Sequence, residues 1–138
     1  MDDFRQVTGG DELPGDGAVA LARAAAEAIR GLNHATRCDA GLGQPPAAYD
    51  VIGALSLAAS RLGQLLTQIT GYLDRSLQAG RLGHDLGEDP APDVNGAGVF
   101  PGDARLSAAA LAGDLSQAQE QLAYVNGRPA RRTSKDQA

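Results

Sequence analysis

Between Pro45 and Ala79 apolar side chains recur at Ala48, Ile52, Leu55, Ala59, Leu62, Leu66, Ile69 and Leu73, alternately four and three residues apart. That alternation is what one face of a helix requires when it is held over several heptads. A second line, Val51, Leu55, Ala58, Leu62, Leu65, Ile69 and Tyr72, overlaps the first, so the apolar face is broader than a two-stranded seam needs. Asp50, Ser56, Ser60, Arg61, Gln64, Thr67, Asp74 and Arg75 occupy the remaining surface. The spacing predicts a long helix over about 47–79. Pro45 and Pro46 stand where proline is tolerated, at its start, and Gly80 can cap its end.

Two further segments carry the helical period. In "GAVALARAAAEAIRGLNHAT", Val19, Ala22, Ala26 and Ile29 form a stripe widened by Leu21, Ala25 and Leu32, with Arg23, Glu27 and Arg30 opposite. Asp16 is placed to cap this helix by accepting from N–H groups one turn on, and "RCDAGLGQPP" breaks it. Near the other end, Ala108, Leu111, Leu115, Ala118, Leu122 and Val125 alternate three and four, and Asn126-Gly127 supplies the stop. The stretch between, "RLGHDLGEDPAPDVNGAGVFPGD" (81–103), is rich in Gly, Pro and acidic residues and reads as a long loop, with Asp103 capping the third helix.

These elements predict an all-α fold, an antiparallel three-helix bundle with the long helix as its central spine. Residues 1–16 are acidic and expected to be disordered, 17–127 form the helical domain, and 128–138 form a disordered basic tail. The first helix is shorter than the spine, so part of the spine lacks an intrachain cover and completion by a homodimer is expected. The interaction residues are then Val51, Leu55, Ala58, Leu62, Leu65, Ile69 and Tyr72. Gly53, Ala54, Gly63 and Gly71 are unusual in a helix interior. They serve either close helix–helix approach or nothing beyond an Ala/Gly-rich composition.

Composition supports helices over a sheet: Ala, Leu and Gly dominate, with three Tyr, two Phe and no Trp. A formal charge of −5 argues against coating nucleic acid by charge alone. The single Cys38 excludes an intramolecular disulfide and a cysteine-built zinc cage. The first residues, "MDDFRQVTGGDELPGDG", do not read as a signal peptide, and no run is apolar enough to span a membrane, so a cytoplasmic protein is expected.

Candidate chemistry is sparse. His34 and Cys38, four apart, would share a face if both were helical, and with Asp39 would suggest a thiolate or partial metal site. They fall where the helix is broken, which favours a structural role. The acidic loop gathers His84, Asp85, Glu88, Asp89, Asp93 and Asn95, but Pro90 and Pro92 interrupt any calcium-loop register. "GLGQPP" lacks the Lys and the strand–loop–helix setting of a phosphate loop. No paired carboxylates sit on an apolar face, so neither catalysis nor a cofactor is expected. The tail groups Arg128, Arg131, Arg132 and Lys135 against one Asp, a pattern that either solubilises or touches nucleic acid, and "RRTS" has the form of a basophilic kinase site.

The segments "AEAIRGLNHATR" and "PPAAYDVIGALSLAASRLGQLLTQITGYLDRSLQAGRLGHDLGEDP" resemble a group of small, uncharacterised helical proteins of high-GC actinobacteria. The likeness covers roughly residues 25–90 and holds Asn33, His34, Tyr49, Asp50, Arg61 and Gln64 in place. After Pro90 the chain departs from it by inserting "NGAGVFPGDA". The resemblance implies a helical fold and, through neighbouring plasmid or integrative-element genes, a link to mobile elements; it implies no activity. Asn33 and His34 are expected either to tie the turn to Tyr49 and Asp50 or to line a ligand pocket, while Arg61 and Gln64 are free for a partner. The function expected is a non-enzymatic protein–protein interaction or scaffold module. The alternative is an accessory nucleic-acid-associated factor working through the tail.

Overall fold

The computed structural model describes residues 13–128, and these are helical with short connections. The chain divides into two compact units, Met1–Gly43 and Gln44–Ala138. The expectations for 1–12 and for the tail beyond Arg128 lie outside the described residues.

In the first unit, α1 spans Asp16–Ala35. Asp16 acts differently from the expected cap. It is the first helical residue, and its carboxylate reaches back to accept from the Leu13 N–H at 2.8 Å. Gly15, at φ 95°, makes the left-handed turn that brings Leu13 there. At the far end the Thr36 hydroxyl donates to the Leu32 carbonyl at 2.8 Å, and a single 3₁₀ turn, Asp39–Gly41, follows. A Cβ at Gly41 would collide with the Ala35 carbonyl oxygen, so only glycine lets the chain fold back against the helix end.

In the second unit, α2 spans Pro45–Gln78, close to the predicted limits, with prolines in its first turn. Its end is a Schellman closure: Gly80 lies at φ 69°, its N–H donates to the Leu77 carbonyl at 3.1 Å, and the Arg81 N–H donates to the Ser76 carbonyl at 3.0 Å.

The third helix corrects the sequence reading. α3 spans Ala91–Leu122, so residues 91–103 are helix rather than loop, and Asp103 lies inside it rather than capping it. The start is built by "DPAPD": the Asp89 carboxylate accepts from the Ala91 N–H at 3.0 Å, and Pro92 and Asp93 occupy the first turn. Pro101 is carried within the helix, against its local preference. Packing explains why this weak segment is helical: Gly98, Pro101 and Gly102 lie alongside Thr67, Thr70 and Gly71 of α2. α3 also ends at Leu122, before the predicted Asn126-Gly127 stop, in a turn where the Val125 N–H donates to the Leu122 carbonyl at 3.0 Å.

α2 and α3 pack along their length. Tyr49 meets Gln119, Ser56 meets Ala112, Thr67 meets Arg105 and Thr70 approaches Gly98. Rising numbers on one helix meet falling numbers on the other, so the pair runs antiparallel. The seam is made of small residues. Among the described residues, the buried hydrophobic ones are Ala59, Ala108 and Ala112, and the buried polar one is Ser76. The Ser56 hydroxyl donates across the seam to the Ala112 carbonyl at 2.8 Å.

This pairing changes the reason the spine is left open. With 32 residues against 34, α3 matches α2 in length, so no end of α2 lacks a companion. What α3 leaves uncovered is a lateral face. The glycines separate as well. At Gly53 a Cβ would collide with the Gln119 side-chain amide, so this glycine does allow α3's side chain to cross α2. Gly71 faces only Arg75 of its own helix, and Gly63 has nothing within 4 Å of where a Cβ would lie. Gly63→Ala should therefore stabilise the fold by about 0.5–1 kcal/mol through helix propensity alone. A thermal melt that falls instead would mean that something fills the groove beside Gly63 in solution.

Candidate interaction surface

Alanine seams bring helices close and leave large side chains outside. On α2, Leu62, Leu65, Ile69 and Tyr72 are between 44% and 58% exposed, and Ile52, Leu55, Leu66 and Leu73 are half-buried. α3 contributes the exposed Phe100 and Leu111 and the half-buried Leu115, Ala118 and Leu122. The expected interaction residues thus lie as follows: Val51, Leu55 half-buried, Ala58, Leu62, Leu65, Ile69 and Tyr72 exposed, all on α2. Their four-and-three spacing keeps them on one face. A monomer rarely leaves such a contiguous aliphatic face in water.

On the opposite side of the hairpin the two helices form a groove of different chemistry. It is lined by Ser56, Ser60, Gly63, Arg105, Gly113 and Ser116 with flanking alanines. The Arg105 guanidinium donates to the Thr67 hydroxyl at 2.8 Å, and the Thr67 hydroxyl donates to the Gly63 carbonyl at 3.1 Å. The Ser60 hydroxyl donates to the Ser56 carbonyl at 3.2 Å. These hydroxyls are engaged with backbone, so this groove is a small, satisfied surface whose only charged group is Arg105.

The polar residues singled out from the sequence are placed at helix ends. Asn33 and His34 lie exposed at the end of α1, beside Glu27, Arg30 and Arg37 around a shallow groove. Tyr49 and Asp50 lie near the start of α2, and the Tyr49 carbonyl accepts from the Gln119 amide of α3 at 3.4 Å. Arg61 and Gln64 are exposed on α2. Cys38 is exposed, with extended backbone (φ −130°, ψ 155°), so it does not continue α1 and the helical four-residue pairing with His34 is not formed.

In the connection 79–90, His84 has a defined role that spacing could not reveal. Its Nδ1 accepts from the Leu86 N–H at 3.1 Å, which leaves Nε2 to carry the proton toward Asp93 at 3.0 Å. The Gly87 N–H donates to the His84 carbonyl at 2.9 Å with Gly87 at φ 73°. His84 therefore ties the connection to the first turn of α3. Asp85, Glu88 and Asp89 are exposed, and among the described residues no three His, Cys, Asp or Glu side chains converge as a metal site would need. Among the same residues no helix is long and apolar enough to cross a membrane.

Comparison of the chain with protein-family models, with curated proteins and with solved structures finds no match in any of the three.

Proposed function

We propose that the chain is a non-enzymatic helical interaction module that self-associates through the apolar face of α2. One observation carries this reading: the hairpin's fully buried hydrophobic residues are three alanines, while Leu62, Leu65, Ile69 and Tyr72 stand exposed on a face that α3 does not cover. An alanine methyl removes little apolar area from water, whereas fully burying a Leu or Ile is worth about 1.5–3 kcal/mol. The larger part of the available hydrophobic free energy is thus realised only when this face is covered. Either a second copy covers it, or α1 lies on it as the third helix of an intrachain bundle. Sedimentation equilibrium of the full chain separates these. Concentration-dependent association in the micromolar range supports the proposal, and a monomer at high micromolar concentration sinks it.

The competing function, a nucleic-acid-associated factor of a mobile element, rests on the charge of the C-terminal segment, with Arg128, Arg131, Arg132 and Lys135 against Asp136. Truncation after Gly127 tells the two apart. The interaction module keeps its full self-association, whereas a nucleic-acid factor loses a salt-dependent affinity for DNA or RNA.

A further inference from the structure

We infer that the partner on the α2 face is a second copy seated antiparallel, with the two-fold axis passing beside Leu62. This rests on the self-association proposed above and specifies its geometry.

Three observations lead there. The first is symmetry of position. Turning α2 end for end about Leu62 exchanges the two apolar lines: Val51 comes opposite Leu73, Leu55 opposite Ile69, and Ala58 opposite Leu66 of the other copy. An isologous interface needs one patch complementary to itself in this sense.

The second is the distribution of size. The N-terminal half of the face mixes sizes, with Val51, Ile52, Leu55 and Ala58, and the C-terminal half is uniformly large, with Leu62, Leu65, Leu66, Ile69, Tyr72 and Leu73. Within the large half Leu62, Leu65, Ile69 and Tyr72 are exposed, and Leu66 and Leu73 are half-buried beside them. A parallel pair would set Ala58 on Ala58 and Tyr72 on Tyr72, leaving a gap at one end and a collision at the other. The antiparallel pair sets Ala58 on Leu66 and Val51 on Leu73, leaving Leu55 on Ile69 and Leu62 on its own copy as the large pairs, which evens the helix separation along the seam.

The third is area. From Val51 to Leu73 the face runs about 33 Å at 1.5 Å per residue, and with α3 alongside it is about 20 Å wide, giving on the order of 650 Å² per copy. That approaches the roughly 800 Å² per partner of a standard stable interface. Two hairpins meeting this way make a four-helix arrangement, with the Ser- and Gly-lined groove left on each outer side.

Thiol cross-linking tests the register. In a Cys38→Ser background, three single-cysteine chains are made: Leu62→Cys, Ala58→Cys and Leu66→Cys. Each is checked for helix by circular dichroism, then treated by mild oxidation and by a short bismaleimide. The geometry predicts covalent dimer from Leu62→Cys alone and from the mixture of Ala58→Cys with Leu66→Cys, and monomer from either of the latter alone. Should Leu62→Cys fail to fold, the mixed pair still decides. Covalent dimer from Ala58→Cys alone, with none from the mixture, means a parallel pair and overturns the inference. Association by sedimentation without cross-linking at any of the three positions also overturns it, while leaving self-association through another seat. A wild-type monomer removes both.

Discussion

Replacing Leu65 with Glu should convert the associated protein into a folded monomer. Leu65 is 48% exposed in the single chain, so a glutamate there remains hydrated while the chain is alone and disturbs none of the Ala59, Ala108 and Ala112 packing. In the associated state the same carboxylate would be carried into an apolar contact without a partner, and a charge so placed costs several kcal/mol or drives dissociation. Symmetry makes the change count twice, once from each copy. We expect the dimer dissociation constant to rise by at least about 100-fold, equivalent to about 2.7 kcal/mol, with the helical circular dichroism retained. Light scattering across a concentration series reads the first, and a thermal melt reads the second. Loss of helix at all concentrations would place Leu65 in an intrachain core. Unchanged association would move the contact off this face.

The sequence carried the helices more faithfully than their ends. The limits of α2 were legible because its four-and-three pattern is unbroken and Pro45, Pro46 and Gly80 punctuate it with physically specific residues. The start of α3 at Ala91 is hidden in the sequence because two signals conflict there. Asp89-Pro90-Ala91-Pro92-Asp93 is a good helix start, with Asp89 before it accepting from the Ala91 N–H and proline in the first turn. The glycines at 96, 98 and 102 and Pro101 then weaken the helical pattern, and local preference reads them as loop. Packing alongside α2 outweighs that preference, and such packing cannot be seen in one segment's own residues.

The same holds for the candidate surface. Which residues are apolar is read directly from the sequence, but the cause of their exposure is not. Helix lengths suggested an uncovered end, whereas α3 runs alongside α2 and leaves a side uncovered. The deciding detail is that the most deeply buried hydrophobic residues between α2 and α3 are alanines, with the leucines beside them only half-buried or exposed. Ala108 and Ala112 are four apart and both buried, while Leu111 between them is exposed. A stripe defined by hydrophobicity alone ranks Leu111 above Ala108, and only the helix rotation fixed by packing reverses that order. His84 was visible only as one acidic-loop residue among several; its bonds to Leu86 and Asp93 depend on the turn made by Gly87.

If the seam is as close as its buried alanines imply, enlarging one of them should destabilise the hairpin more than truncating a much larger residue on the outside. Ala112 is buried, and its carbonyl accepts the Ser56 hydroxyl at 2.8 Å. Ala112→Leu adds three carbons at a buried seam position, so α2 and α3 must separate or the side chain must turn off its preferred rotamer toward the groove that Ala112 borders. Either response costs about 1–3 kcal/mol, before any loss of the hydroxyl bond worth about 0.5–1.5 kcal/mol. For a unit of this size each kcal/mol lowers the melting temperature by about 4–8 °C, so the packing cost alone gives an expected fall of roughly 4–24 °C. Leu106→Ala supplies the contrast: Leu106 is 74% exposed, and its truncation should stay within about 0.5 kcal/mol. Both melts are run on the Leu65→Glu background, where a change in association cannot masquerade as a change in fold. A neutral or stabilising Ala112→Leu would show that the helices have space between them. In that case leucines rather than alanines hold the hairpin, and the case for an uncovered apolar face on α2 falls with the seam.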